Sequence, residues 1–266
     1  MKNICDTQYY ITEAGYKGIQ QFKYKGGSSS ILYEYIWSPL CNWIVDHLIP
    51  SSIAPNTITL VASLQMIATH FVILYYSPDF KTNLPTWLIV WAGISTLIYQ
   101  ILDNCDGKQA RKTGSSSPLG MLFDHGCDSV ITWILYLTMI NVLQLGHNWI
   151  PYFCGIFISQ ISFYMAQWAQ YHAGVFKLGY INAIDEGLVL VEANYIFTAI
   201  VGQQFWSNQI PQFYNFTYGE TAMLATGLGA FIQCILFIFD AHKQDIEEIG
   251  IEKKGKAESL ICVFWL

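Results

Sequence analysis

The chain has 266 residues and a formal net charge of −6; 53% of it is hydrophobic, 16% aromatic and only 12% charged, where ordinary soluble domains carry about 25% charged residues. A water-soluble fold cannot hide that much apolar surface. The expected class is an all-α integral membrane protein, with no nucleic-acid partner.

Residues 1–30 are polar and carry Lys2, Lys17, Lys23 and Lys25, so no cleavable signal peptide is expected at the start. Residues 31–49 read as an amphipathic helix whose polar stripe is Glu34, Ser38, Asn42 and Asp46. Ile31, Leu32, Tyr35, Ile36, Leu40, Trp43, Ile44 and Leu48 make up the apolar remainder, and because the stripe lacks Lys and Arg that remainder is expected to pack on the membrane bundle. Pro39 should kink the helix or split it in two.

Six stretches long enough to cross a ~30 Å hydrocarbon core follow, at 57–77, 84–102, 129–146, 149–170, 188–206 and 220–241. The expected organisation is a cytosolic N-terminal segment (1–56), a six-helix membrane domain (57–241) and a charged, solvated cytosolic tail (242–266). Every Lys and Arg except Lys81 lies in 1–56, 103–128, 171–187 or 242–266. By the positive-inside rule those segments face the cytosol.

The densest chemistry lies between Asp103 and Asp128, as D-x2-D-G-x2-A-R-x8-G-x3-D-x3-D. Average composition would give those eight positions by chance with odds on the order of 10⁻⁸ to 10⁻⁷. On helices, Asp103 and Asp106 share a face, as do Asp124 and Asp128, and the Ser-rich stretch Thr113 to Pro118 lets the chain reverse between them. Two carboxylates about 4 Å apart repel by roughly 4 kcal/mol at an effective dielectric near 20. Four converging acids therefore require a divalent cation. With no His or Cys partner in the set, the hard ions Mg²⁺ or Mn²⁺ are expected, Ca²⁺ usually wanting more protein oxygens. Arg111 offers a planar fork for phosphate, and Gly107 and Gly120 leave room for a bulky ligand beside the acids.

Among the remaining polar residues, His70 reads as a packed or hydrogen-bonded helix residue. Glu186 and Glu192 lie within or at the edge of a span, where carboxylates face the bundle interior; Glu186 either orients the site or caps its helix. The seven cysteines show no C-x-x-C and no spacing with His, so neither zinc nor a disulfide framework is indicated. Asn215 begins the one glycosylation sequon.

The spacing matches the signature of the CDP-alcohol phosphotransferase family, and DGKQARKTGSSSPLGMLFDHGCDS resembles its choline and ethanolamine phosphotransferase branch. IAPNTITL at 53–60, FKYKGG near 22, YHAGVFKLGYINAIDEG at 171–187 and FWSNQIP at 205–211 are also similar to it. The resemblance implies attack by a diacylglycerol hydroxyl on the β-phosphorus of CDP-choline or CDP-ethanolamine, giving phosphatidylcholine or phosphatidylethanolamine and CMP. It implies metal on Asp103, Asp106, Asp124 and Asp128, and nucleotide contacts from Asn56, Gly107, Ala110, Arg111, Gly120 and Glu186. The proton acceptor would be His125, or Asp128 as elsewhere in the family. An endoplasmic reticulum or Golgi membrane and a homodimer are further implications. Met121 stands where the branch carries Glu, and relatives continue into helices past the sixth, so a C-terminally truncated form is expected. The rival readings are a CDP-diacylglycerol-dependent phospholipid synthase and an inactive member partnering an active subunit. An acid-lined ion pathway would need its acids at mid-membrane, whereas these sit at span ends.

Overall fold

The computed structural model describes residues 26–28, 30–147, 149–155, 160–173, 176–178, 185–211 and 216–247, with the isolated positions 17 and 19. In order they form β1 (Gly26–Ser28), a wide π turn (Tyr33–Trp37), α1 (Ser38–His47), α2 (Pro55–Tyr76), α3 (Thr86–Thr113) and α4 (Pro118–Val142). Then come α5 (Trp149–Gly155), α6 (Ser162–Ala173), β2 (Phe176–Leu178), α7 (Asp185–Val201), α8 (Gln204–Ser207) and α9 (Tyr218–Glu247). The fold is all-α apart from β1 and β2, a three-residue parallel pair that sets Gly26 beside Phe176. This pairing joins two of the segments that carry the resemblance.

All six apolar segments expected from the sequence fall on helices, the fourth on α5 and α6 with 156–159 outside the described residues. α2, α3 and Tyr218–Phe239 of α9 are long and apolar enough to cross a membrane. Leu64, Phe71 and Tyr75 on α2 and Leu228, Phe231 and Phe239 on α9 are exposed, as an integral membrane protein requires of its lipid-facing surface. Several polar side chains inside the bundle pair with one another. His70 Nδ1 lies 2.8 Å from the Thr138 hydroxyl, and Ser95 donates to Gln65 at 2.7 Å.

The helices outrun the apolar segments at the site. α3 continues eleven residues past the expected end at 102, because Lys108, Gln109, Ala110 and Arg111 are strong helix formers and Arg111 and Lys112 complement the negative end of the dipole. It stops at Gly114, whose φ of 65° is the left-handed cap that glycine adopts without strain. α4 begins at Pro118 after Ser117, whose Oγ accepts the Gly120 N–H at 3.0 Å. All four aspartates therefore stand on rigid helix. α9 likewise continues to Glu247 where a solvated tail from 242 was expected; 248–266, and Asn215 of the sequon, lie outside the described residues.

The N-terminal helix packs on the bundle through a different arc from the one expected. Trp37, Cys41 and Val45 are buried, the last two against Cys105 of α3 and Ile58 of α2, while Ile31, Tyr35, Trp43 and Leu48 are exposed. Lys108 sets this rotation by donating to Ser38 Oγ at 2.9 Å with its ammonium 5.4 Å from the Tyr33 ring centroid. Lys112 donates to the carbonyls of Val45 and Ile49 at the end of α1, at 2.5 and 3.2 Å. Pro39 does not split the helix: it stands just after the π turn at the start of α1, and the backbone stays helical through Trp37 and Ser38. At the opposite end of the bundle Asp79 caps the loop between α2 and α3. The backbone N–H groups of Thr82 and Lys81 hold its carboxyl down at about 2.

Candidate metal and phosphate site

Asp103 and Asp106 come from the last turns of α3, and Asp124 from the first turns of α4. Helical spacing makes each pair of acids share a face, and the short turn at 114–117 folds the two faces together. One ligand atom from each of the three lies within 4.8 Å of the others. Asp128 stands one turn further along α4, where its Oδ1 accepts the Tyr99 hydroxyl at 2.6 Å. Thr59 of α2 donates its hydroxyl to Asp106 Oδ2. Neither donor was picked out from the sequence, although both left a signal. Tyr99 precedes Asp103 by one helical turn, and Thr59 follows Asn56 by three residues inside an otherwise apolar segment.

The cations of the motif do not neutralise these acids. Lys108 and Lys112 turn away toward α1, and among the described residues no Lys or Arg forms an ion pair with Asp103, Asp106, Asp124 or Asp128. Asp124 Oδ1 is buried with no hydrogen-bond partner. An orphaned carboxylate oxygen facing two further acids has an uncompensated desolvation cost, and a hard divalent cation is the group that relieves it. The donor set therefore fits a divalent metal.

Arg111 is exposed at the mouth of the cluster, and its Nη1 lies 3.7 Å from where a Cβ on Gly107 would stand, so the guanidinium folds back one turn over that glycine. Ala110 is half-buried beside it. A Cβ on Gly120 would come 3.5 Å from Asn56 Oδ1, which places the Asn56 amide at the first turn of α4. Asn56, Arg111 and Gly120 thus ring the end of the bundle where the acids converge. His125 is half-buried and close enough to Asp128 to interact with its charge. Met121, one turn before it, receives the Gln170 amide at 3.6 Å from its sulfur.

Glu186 lies in the first turn of α7. Its Oε1 accepts the buried Ser30 hydroxyl at 2.5 Å, and Ser30 Oγ in turn accepts the Tyr33 N–H at 3.1 Å. It is not among the carboxylates that converge within 4.8 Å. The start of α7 still reaches α3, since the Gln100 amide donates to the Asp185 carbonyl at 3.1 Å.

A helical membrane protein with aspartates from two helices converging in a set fit for a divalent metal is the class these features define. The chain belongs to the CDP-alcohol phosphatidyltransferase family, whose sequence model it matches over residues 52–232. It is 37% identical to an uncharacterized class-I member of that family from Dictyostelium discoideum, over 90% of this chain and 62% of that one. It is 36% identical to cholinephosphotransferase 1 of Xenopus laevis, over 73% of this chain and 48% of the other. To choline/ethanolaminephosphotransferase 1 of Arabidopsis thaliana it is 35% identical, over 76% of this chain and 51% of the other. The chain thus spans about half to three fifths of the length of these relatives.

Proposed function

We propose that the protein transfers phosphocholine or phosphoethanolamine from a CDP-alcohol to diacylglycerol. The observation that carries this is the convergence of Asp103, Asp106 and Asp124 at the end of the membrane bundle, with one buried oxygen left without a partner. Mg²⁺, with Mn²⁺ as substitute, is the expected ion on these three acids and Asp128; bound there it would offset the charge of the pyrophosphate and of departing CMP. Arg111 pairs with a phosphate oxygen in this reading, Asn56 orients the nucleotide, and Gly107, Ala110 and Gly120 leave space for it. Glu186 acts indirectly, by fixing the start of the N-terminal helix through Ser30.

In the transfer step the diacylglycerol hydroxyl oxygen bonds to the β-phosphorus, and the bond from that phosphorus to the bridging oxygen breaks. CMP leaves with the electron pair, and the hydroxyl proton passes to the His125 imidazole. Asp128 is the weaker candidate for the base because it already accepts the Tyr99 hydroxyl. The Lys and Arg asymmetry supports a site facing the cytosol, where a soluble nucleotide would arrive, and the resemblance to the choline and ethanolamine branch supports an endoplasmic reticulum or Golgi membrane. The test is CMP release by the full chain in nanodiscs with Mg²⁺, diacylglycerol and CDP-choline or CDP-ethanolamine. Release that requires all three components is expected; none with either nucleotide overturns the reading.

A further inference from the structure

The acids of the site differ in how their neighbours hold them. Asp106 and Asp128 each have one oxygen tied to a buried hydroxyl from the adjacent helix. Asp106 Oδ2 accepts from Thr59 of α2, and Asp128 Oδ1 accepts from Tyr99 of α3. Asp124 Oδ1, by contrast, has no partner. Thr59 stands outside the Asp103–Asp128 stretch, on the same face of α2 as Asn56 three residues before it.

The Thr59 hydroxyl has one hydrogen and two acceptors within reach. The Pro55 carbonyl, one turn back on α2, lies at 3.4 Å, near the limit of a hydrogen bond. The Asp106 carboxylate is closer and charged, and charge-assisted bonds are the stronger kind. Thr59 is 3% and Asp106 5% exposed, so the pair is shielded from solvent, and a β-branched side chain has little rotamer freedom in a helix. With Oδ2 engaged in this way, one oxygen of Asp106 is left for an ion.

That limit bears on which ion the acids select. A carboxylate offering a single oxygen suits a small ion with near-octahedral demands such as Mg²⁺, whereas Ca²⁺ takes about six to eight oxygens and often gains them by binding both oxygens of a carboxylate. We infer that Thr59 is a positioning residue that holds Asp106 to one-oxygen coordination and so makes the site discriminate against Ca²⁺. The inference rests on the phosphotransfer reading for what the ion is used for, while ion binding is measurable without turnover.

The test is calorimetric titration of the full chain, in nanodiscs of uncharged phosphatidylcholine, with Mn²⁺ alone and with Mn²⁺ in competition with Ca²⁺. Loss of a group that orients a metal ligand costs about 10–100-fold in metal affinity. Thr59→Val, which keeps the shape and removes the donor, should weaken Mn²⁺ by that factor and cut the preference for Mn²⁺ over Ca²⁺ about tenfold. Thr59→Ser, which keeps the donor, should restore both. A change that merely loosened the packing of α2 would weaken both ions alike and leave their ratio as it was. A second measurement needs no variant: on adding Mn²⁺ to the wild type, the antisymmetric and symmetric carboxylate stretches in the infrared should move apart, as one-oxygen ligation requires. Stretches that move together, an unchanged ratio in Thr59→Val, or a ratio that Thr59→Ser fails to restore overturns the inference. A chain whose ratio depends on Thr59 but which releases no CMP from either CDP-alcohol refutes phosphotransfer instead, and one that releases CMP with the ratio unchanged in Thr59→Val refutes the role of Thr59 alone.

Discussion

Tyr99 and Asp128 meet hydroxyl to carboxylate at 2.6 Å where α3 faces α4. The tyrosine is buried among Ala62, Met66 and Ile131, so the packing below the site and the position of its fourth acid are the same contact. Tyr99→Phe keeps the ring and removes the donor. A hydrogen bond to a charged group contributes ~1.5–3 kcal/mol, so turnover should fall about tenfold or more with the fold intact. Unchanged kinetics across a Mg²⁺ titration would show that Asp128 needs no fixed orientation.

Asp106→Asn and Asp124→Asn should each abolish transfer and weaken nucleotide binding in Mg²⁺, and chelation should silence the wild type. The Asp124 change is the sharper of the two, because its buried oxygen has no protein partner to lose. Calorimetric titration of Mn²⁺ gives a readout besides activity. Full activity in either variant would remove the metal assignment.

His125→Ala should lose about 10²–10⁴ in rate while keeping its affinity for the CDP-alcohol. Asp128→Asn cannot separate base from ligand, since it removes a proposed metal contact as well. Near-normal turnover of His125→Ala between pH 6 and 9 would shift the proton to Asp128.

Much of this was legible in the sequence because hydrophobic length and motif spacing are local properties. The apolar segments all became helices, and the i,i+3 and i,i+4 spacings placed the acids on facing surfaces. What lay beyond reach depends on partners far along the chain. The arc of the N-terminal helix that buries Trp37, Cys41 and Val45 is chosen by Lys108 and Lys112, more than sixty residues later, and an almost wholly apolar helix gives no internal clue to it. Glu186 is tied to Ser30, 156 residues away, by the same kind of long-range contact. Lys108 and Lys112 stand close to the aspartates in sequence, but the helix directs them to its other side, toward α1.

The charge asymmetry and the fold together predict topology. In a background with the native cysteines replaced, Ser115→Cys, in the turn between α3 and α4, should react with a membrane-impermeant thiol reagent from the cytosolic side. Asn83→Cys, in the loop capped by Asp79, should react only from the other. Reversed labelling would remove the argument for a cytosolic supply of nucleotide.

Met121 is where the sequence departs from the branch it resembles, and the structure shows what surrounds that departure. Its sulfur, a weak acceptor, takes the Gln170 amide at 3.6 Å, one helical turn from His125. A glutamate at 121 would accept the same amide more strongly and bring a negative charge toward the imidazole, which favours its protonated form and so strengthens it as a base. Met121→Glu should therefore raise turnover measurably, with a smaller effect on CDP-alcohol affinity, when equal amounts of folded protein are compared in the same membranes. Met121→Gln separates the two contributions, since it restores the acceptor without the charge and should recover little of the gain. If the natural chain already turns over as fast as its Glu variant, the Gln170 contact suffices and the charge at 121 is dispensable.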